Sequence, residues 1–299
     1  MGSGGKIKRR SNSDGGQTDG VGMGRGQMTM RLAVRENMVP GETLAEKFRN
    51  LRAWGYDGIE LTRSSRWECV DEVKRAMRET GIQVSIVSAI GGGALIEARR
   101  EERERAMQSH KTALEIASEL NAVGVISVPL LPTKMQNRPR LPDLSPWKTT
   151  EELERALMVE LYGELADYAR RLGNVVIIIE PLNRYEQWHP NRVEQTVAIC
   201  QVVGNPHCRT MFDFFHANIE EADMAEAIRQ GGEYLANIHI ADSNRLTPPH
   251  GHTDFRPCFR ALKEIGYDKF MALECGVPGE PTEELRRCAQ YLRRLWDEA

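Results

Sequence analysis

Four side chains able to bind a cation or carry a proton stand at the ends of short apolar runs. They are Glu180 in VVIIIEPLNRYE, Asp213 in MFDFFHANIEE, His239 in IHIADSNR and Glu274 in ALECG. A carboxylate placed where a buried strand stops is costly unless its charge is compensated, by a metal ion or by a buried Arg. Taken singly, each has an ordinary structural reading. Glu180 and Glu274 could pair with cations, Asp213 could cap a helix, and His239 could be a hydrogen-bonded core histidine. Four neighbouring units each ending this way point instead to a shared ligand. Three carboxylates and one imidazole suit a divalent ion such as Mn2+, Co2+ or Mg2+ better than a structural zinc, which prefers thiolates.

The elements that must position these groups alternate short strands with amphipathic helices. Strands are expected at Leu32–Val34, Gly58–Leu61, Val84–Ile90, Val123–Val128, Val175–Ile179, Cys208–Phe212, Leu235–Ile240 and Phe270–Leu273. Five β-branched residues in succession from Val175 suit a strand buried on both faces, as in a parallel sheet. Between the strands, helical spacing appears in Leu44/Phe48/Leu51, in Val70/Val73/Met77 and in Val193/Val197/Val202, with Gly55, Gly81 and Gly204 as stops. Thr149 to Glu152 forms a capping-box pattern, followed by Leu153, Leu157, Leu161, Leu165, Tyr168 and Leu172 as an expected core-facing stripe. A helix is expected around Met224 and Ile228, and Leu285, Leu292 and Leu295 mark a closing one. The Arg/Glu run from Glu97 to Arg105 reads as a solvated helix face with i,i+4 pairs. Eight such units over about 270 residues predict a single-domain α/β (β/α)8 TIM barrel, whose active site lies at the carboxyl ends of the strands. A doubly wound nucleotide-binding sheet is disfavoured because GxGxxG is missing; Gly91-Gly92-Gly93 reads as a turn.

Composition fits a soluble globular protein, with 40% hydrophobic and 28% charged residues over 299 positions. A net charge of −3 gives no basic footprint for nucleic acid, and no apolar run approaches a membrane span. The six cysteines show no CxxC spacing and, without a secretory signal, read as reduced thiols of a cytoplasmic protein. Residues 1–27 are rich in Gly and Ser and are expected to be a flexible tail, with the barrel in 28–299. Arg9-Arg10 is not followed by the apolar segment of an export signal, and Met23, Met28 and Met30 are each plausible starts.

The segments IEPLNRYE, DFFHANIEE, HIADSNR and LECG, in this order, resemble the xylose isomerase-like barrel superfamily of sugar phosphate isomerases and epimerases. Within it they are most similar to the D-tagatose 3-epimerase and D-allulose 3-epimerase group, over Leu32 to Trp296. The resemblance implies a metal-dependent ketose 3-epimerase that inverts C3 of a free ketose through an enediolate. It makes Glu180, Asp213, His239 and Glu274 the ligands of one divalent ion, with Mn2+ preferred over Co2+ or Mg2+. Glu180 and Glu274 become the catalytic acid/base pair, one removing the C3 proton and the other reprotonating the opposite face. Glu186, His216 and Arg245 match positions that bind substrate oxygens. The partner implied is a small-molecule sugar, with homo-oligomerisation to a dimer or tetramer and no role for nucleic acid or membrane.

This chain departs from the group in places. LTPPHGHTD follows Arg245 where a PGxGH-type turn is typical, Cys275 stands where Ser is usual, and the Pro129–Trp147 loop does not align. His252 and Asp254 keep polar positions that are equally well read as surface loop residues. Trp67, Trp147 and Trp188 have two readings each, stacking on a sugar or plain packing. Three rival functions stay open. One is a sibling with the same shell, such as a hydroxypyruvate isomerase, an inosose dehydratase, or an epimerase for phosphorylated or oxidised sugars. Another is a non-catalytic sugar-binding barrel, which the intact glutamate pair disfavours. The last is an apurinic-site endonuclease, whose extra ligands on strands two to four would have to come from Glu60, a residue better read as supporting.

Overall fold

The computed structural model describes residues 1–2, 28–62, 69–89, 93–130 and 140–299. Residues 3–27 of the expected tail, Ile90 to Gly92, Trp67 and Met135 lie outside the described residues. Eight parallel strands close into a barrel in sequence order. They are β1 (Arg31–Arg35), β2 (Gly58–Leu61), β3 (Gln83–Ser88), β4 (Gly124–Ser127), β5 (Val176–Ile179), β6 (Cys208–Asp213), β7 (Leu235–Ile240) and β8 (Phe270–Leu273). β8 pairs with β1, so no strand edge is left open. The outer layer is α1 (Leu44–Trp54), α2 (Val70–Thr80), α3 (Arg100–Glu119), α4 (Thr150–Leu172), α5 (Val193–Val203), α6 (Phe214–Glu220), α7 (Met224–Gly231), α8 (Arg256–Glu264) and α9 (Pro281–Glu298).

Strand residues of one parity face the helices and join the main core, whereas Ile86, Ile126, Ile178, Met211 and Ala236 form a separate cluster that fills the barrel's interior. Phe270, Ala33 and Ala272 make a further cluster from β8 and β1. Gly58 leaves room for the Phe270 ring, since a Cβ there would stand 2.7 Å from Cε1. The capping box at Thr149 and Glu152 forms as expected. Gly55 and Gly204 end α1 and α5 with φ of 82° and 64°, conformations that Gly adopts without steric cost.

Three expectations about faces need correction. The buried stripe of α4 runs through Glu154, Met158, Tyr162, Leu165, Ala166 and Ala169, while Leu157 and Leu161 lie half-buried on the flank shared with α3. Leu153 and Leu172 are likewise only half-buried. Polar anchors set this rotation. The Tyr162 hydroxyl meets Ser127 Oγ of β4 at 3.0 Å, and Ser127 Oγ meets His110 Nε2 of α3 at 2.7 Å. At the other end of α4, Glu154 accepts from Arg140 at 2.8 and 3.0 Å and from Trp188 Nε1 at 2.9 Å. On α5, Val202 faces solvent rather than the core. Within the charged run, Arg100 and Glu104 make the expected i,i+4 pair at 2.7 Å, but Glu97 is buried ahead of the helix and holds Arg99 at 3.2 Å.

Candidate metal centre and active site

The carboxyl ends of β5 to β8 bring the four expected ligands together. One ligand atom from each of Glu180, Asp213, His239 and Glu274 lies within 4.8 Å of the others. Asp213 and His239 are register partners on adjacent strands, so their side chains leave the sheet side by side. Glu180 and Glu274 follow β5 and β8, and their backbone N–H groups donate to Ser127 and Ile240 of the neighbouring strands at 3.0 and 3.1 Å. The two glutamates therefore stand at the ends of a four-strand arc, with Asp213 and His239 between them.

His239 organises the cluster. Its Nδ1 lies 3.0 Å from Glu274 Oε2, and 3.5 Å from both Glu180 Oε1 and Asp213 Oδ2. Its Nε2 meets Glu60 Oε2 at 2.9 Å. Burial disfavours the imidazolium, but Glu60, Asp213 and Glu180 outweigh it and hold the His239 pKa well above the ordinary value. Burial likewise opposes the charges of Glu60 and Asp213. His239 and Arg35 nevertheless keep the Glu60 carboxyl below its usual range, and His216 and His239 do so for Asp213.

Glu180 Oε1, His239 Nδ1 and Glu274 Oε2 are buried, converge on one region and have no hydrogen-bond partner. Buried polar atoms without a hydrogen-bond partner are costly. Three carboxylates and an imidazole whose far nitrogen is held by another carboxylate match the donor set of a divalent ion.

Asp213 serves two purposes at once. Its Oδ1 accepts from Phe215 N and His216 N at 2.7 and 3.0 Å, capping α6, and its Oδ2 is left to face the cluster. The helix-cap reading holds through Oδ1, which leaves Oδ2 for the expected ligand role.

The three residues expected to bind substrate oxygens surround this centre. His216 Nδ1 receives Asn183 N at 3.2 Å and Asn183 Nδ2 at 2.8 Å, which makes it an acceptor and places the ring proton on Nε2. That Nε2 is buried, unpartnered and 4.0 Å from Asp213 Oδ2, so it presents a donor to the site. Arg245 pairs with Glu186 at 2.7 Å, stacks over Phe215 at 4.7 Å, and brings Nη2 to 3.8 Å from Glu274 Oε2. Its backbone is left-handed at φ 59°, an uncommon conformation for a residue other than Gly and one that accumulates at functional sites.

Asp242 builds the loop that carries Arg245. The buried carboxylate accepts from the backbone N–H of Ser243, Gly251 and Thr253 at 2.8 to 3.0 Å. A Cβ on Gly251 would come within 2.4 Å of Asp242 Oδ1, so the turn in LTPPHGHTD packs its backbone directly against this anchor. His252 and Asp254 take their surface reading, bonded to Ser243 and Arg256 at 2.9 Å. Trp188 packs against Glu154 and Arg140, and Trp147 is exposed. Burial and the nearby Asp213 push the Cys275 thiol up, so it lines the site as a neutral group.

Sequence reasoning undervalued Glu60 and missed Arg35 and Asn183. Glu60 is fully committed to His239, Arg35 and Ser88. Arg35 carried the same signal as the four ligands, a charge ending an apolar strand in RLAVR. A cavity of about 260 Å3 opens beside Glu274 between Arg35, Asn37, Met38, Arg245 and Cys275. A larger one of about 520 Å3 lies at the amino-terminal end of the barrel, around Arg31, Arg209 and Phe270, away from the four converging groups. Of these two cavities, only the smaller is lined by one of the four converging residues, Glu274. Among the described residues, no helix is long and apolar enough to cross a membrane, and all six cysteines are free.

Comparison with known proteins agrees with the barrel fold. A profile of the xylose isomerase-like TIM barrel family matches residues 48–295. The 3-dehydro-D-guloside 4-epimerase of Escherichia coli (strain K12) is 28% identical over 267 residues, which is 88% of this chain and 99% of that protein. A D-psicose 3-epimerase of Enterocloster bolteae is 36% identical over 121 residues, 40% of each chain. The crystal structure of a 3-keto-D-glucoside 4-epimerase from E. coli superposes with a TM-score of 0.79 at 26% identity, covering 89% of this chain and all of that one.

Proposed function

The chain belongs to the xylose isomerase-like TIM barrel family, and we propose that it is a divalent-metal-dependent sugar epimerase, inverting the hydroxyl-bearing carbon next to a ketone. The observation that carries this reading is the convergence of unpartnered Glu180 Oε1, His239 Nδ1 and Glu274 Oε2 beside Asp213 Oδ2. Relatives named as epimerases support it, one of them matching almost the whole chain.

Glu180, Asp213, His239 and Glu274 would hold the ion, with Mn2+ favoured by the oxygen-rich set. When bound, a divalent ion polarises the ketone and acidifies the neighbouring C–H. The chain's own residues supply the rest. Glu180 and Glu274 approach from the two ends of the strand arc, so one removes the proton on its side and the other returns one from the opposite side. The His216 Nε2–H donates to a substrate oxygen, and Arg245, aligned by Glu186, donates to another. A planar enediolate between the two carboxylates accounts for inversion without any covalent link to the protein.

A ketose with its ketone at C2 would be inverted at C3. The 4-epimerase that matches 88% of this chain favours a second reading, in which a 3-keto-glycoside is inverted at C4. Both substrates present the same ketone and adjacent carbinol to the two glutamates. The test is NMR of Mn2+-loaded protein in deuterium oxide with free ketoses (fructose, allulose, tagatose, sorbose, ribulose, xylulose) and with methyl 3-keto-glucoside. Deuterium next to the ketone with an inverted product is the expected result, and the sugar that reacts selects between the two substrates. Exchange at C1 with an aldose product would make the protein an isomerase instead.

A further inference from the structure

Arg35 contacts both Glu60 and Glu274, the two carboxylates that flank the His239 ring. Its Nη1 is in ion-pair contact with Glu274 Oε1, and its Nε lies 3.1 Å from Glu60 Oε1. The second contact is an ion pair without hydrogen-bond alignment, since Nε has no hydrogen-bond partner. Each carboxylate uses its other oxygen on His239, from opposite sides of the ring. Glu60 Oε2 meets Nε2 at 2.9 Å, and Glu274 Oε2 faces Nδ1 at 3.0 Å. One guanidinium thus occupies the outer oxygens of both carboxylates and leaves the inner pair turned toward the imidazole.

We propose that Arg35 is a positioning residue for the reaction. By taking Glu274 Oε1 it aims Oε2 into the site. By steadying Glu60 it keeps the Glu60–His239 bond, and with it the orientation in which Nδ1 is offered as a ligand. This rests on the reading of Glu180, Asp213, His239 and Glu274 as the cation shell and acid/base set. A guanidinium suits the task because its planar fork can meet two carboxylates in fixed directions, whereas an ammonium is a single point charge. The side chain is only 19% exposed, so water is a poor substitute for it.

The test compares Arg35→Lys, Arg35→Gln and Arg35→Ala with the unaltered protein. Mn2+ affinity is read without substrate from the electron paramagnetic resonance of the free ion, and kcat and KM are then separated on whichever sugar exchanges. Arg35→Lys keeps a charge beside buried Glu60 and should fold. It should bind Mn2+ about tenfold more weakly, the size of effect expected when the support of a ligand is disturbed. At saturating Mn2+ its kcat should fall by about a hundredfold, as expected for a misplaced catalytic group, with little change in KM. Methylguanidine should return part of the lost kcat to Arg35→Ala and none to Glu60→Gln. If Arg35→Gln does not fold, the Lys variant decides.

Wild-type Mn2+ affinity and kcat in Arg35→Lys would overturn the proposal. A loss confined to KM would overturn it as well, since Arg35 would then be a group that binds substrate. If no sugar reacts, the epimerase reading fails, and the Mn2+ measurement still decides whether Arg35 supports the shell.

Discussion

Glu60 on β2 and His239 on β7 meet across the barrel, Oε2 to Nε2 at 2.9 Å, although β8 and β1 lie between their strands. Glu60 is wholly buried, and its charge is tolerated because His239, Arg35 and Ser88 surround it. With Nε2 held by Glu60, Nδ1 is the nitrogen that faces Glu180, Asp213 and Glu274.

Glu60→Gln is the first prediction. The amide can still meet Nε2 but carries no charge to raise ligand basicity. Mn2+ affinity should fall by roughly 10- to 100-fold, with the circular dichroism spectrum retained. Equilibrium dialysis followed by metal analysis checks this. Unchanged metal content would separate Glu60 from the cation shell.

Stability toward acid depends on a different histidine. His110 is buried, gives Nδ1–H to Ala106 O and receives Ser127 Oγ at Nε2, each at 2.7 Å. Burial lowers its pKa to about 4, from an ordinary value of 6.5. A depressed pKa means that the unfolded chain binds this proton first. Its contribution to stability is therefore complete above pH 6.5 and lost as pH falls toward 4, amounting to about 3 kcal/mol. Urea unfolding at a series of pH values should show this slope, and His110→Gln should flatten it. Parallel curves for the two proteins would contradict the assignment.

Glu154 tests the anchoring of the strand-four and strand-five loops. Its carboxylate is buried on α4 between Arg140 and Trp188 Nε1. Glu154→Ala would leave Trp188 Nε1 without its acceptor and Arg140 with Glu151 as its remaining carboxylate, and is expected to cost about 2 kcal/mol, as for an unsatisfied buried donor. Because Trp188 follows Glu186 by two residues, KM should also rise. A midpoint shift equivalent to under about 1 kcal/mol, the usual range for a surface pair, would show the contact to be solvent-screened.

Much of this was legible in the sequence, for identifiable reasons. Short apolar runs with a charged or titratable residue at or near the end mark barrel strands, and Glu180, Asp213, His239 and Glu274 carry that signature. Arg35 carries it too, but a lone Arg does not announce that its partners come from β2 and β8. The leucine repeat of α4 misled because helical spacing gives a period and not a rotation. Glu154 and Tyr162 set the rotation through Arg140, Trp188 and Ser127, which are distant in sequence or on another element. Glu97 was lost in a run of like residues, where nothing local separates a buried carboxylate from its exposed neighbours. The roles of His216 and Asn183 emerge only when the β5 and β6 loops meet.

The central claim is that two glutamates act on opposite faces of one carbon. The most direct test is stereospecific deuterium exchange by Glu180→Gln and Glu274→Gln, each loaded with Mn2+ and given the two epimers of the reactive sugar separately. Inversion should fall at least about a thousandfold in both variants, as for loss of an essential acid/base group. Any residual exchange should come from one epimer in one variant and from the other epimer in the second. Full inversion by either variant would remove that glutamate from proton transfer and contradict the two-sided account.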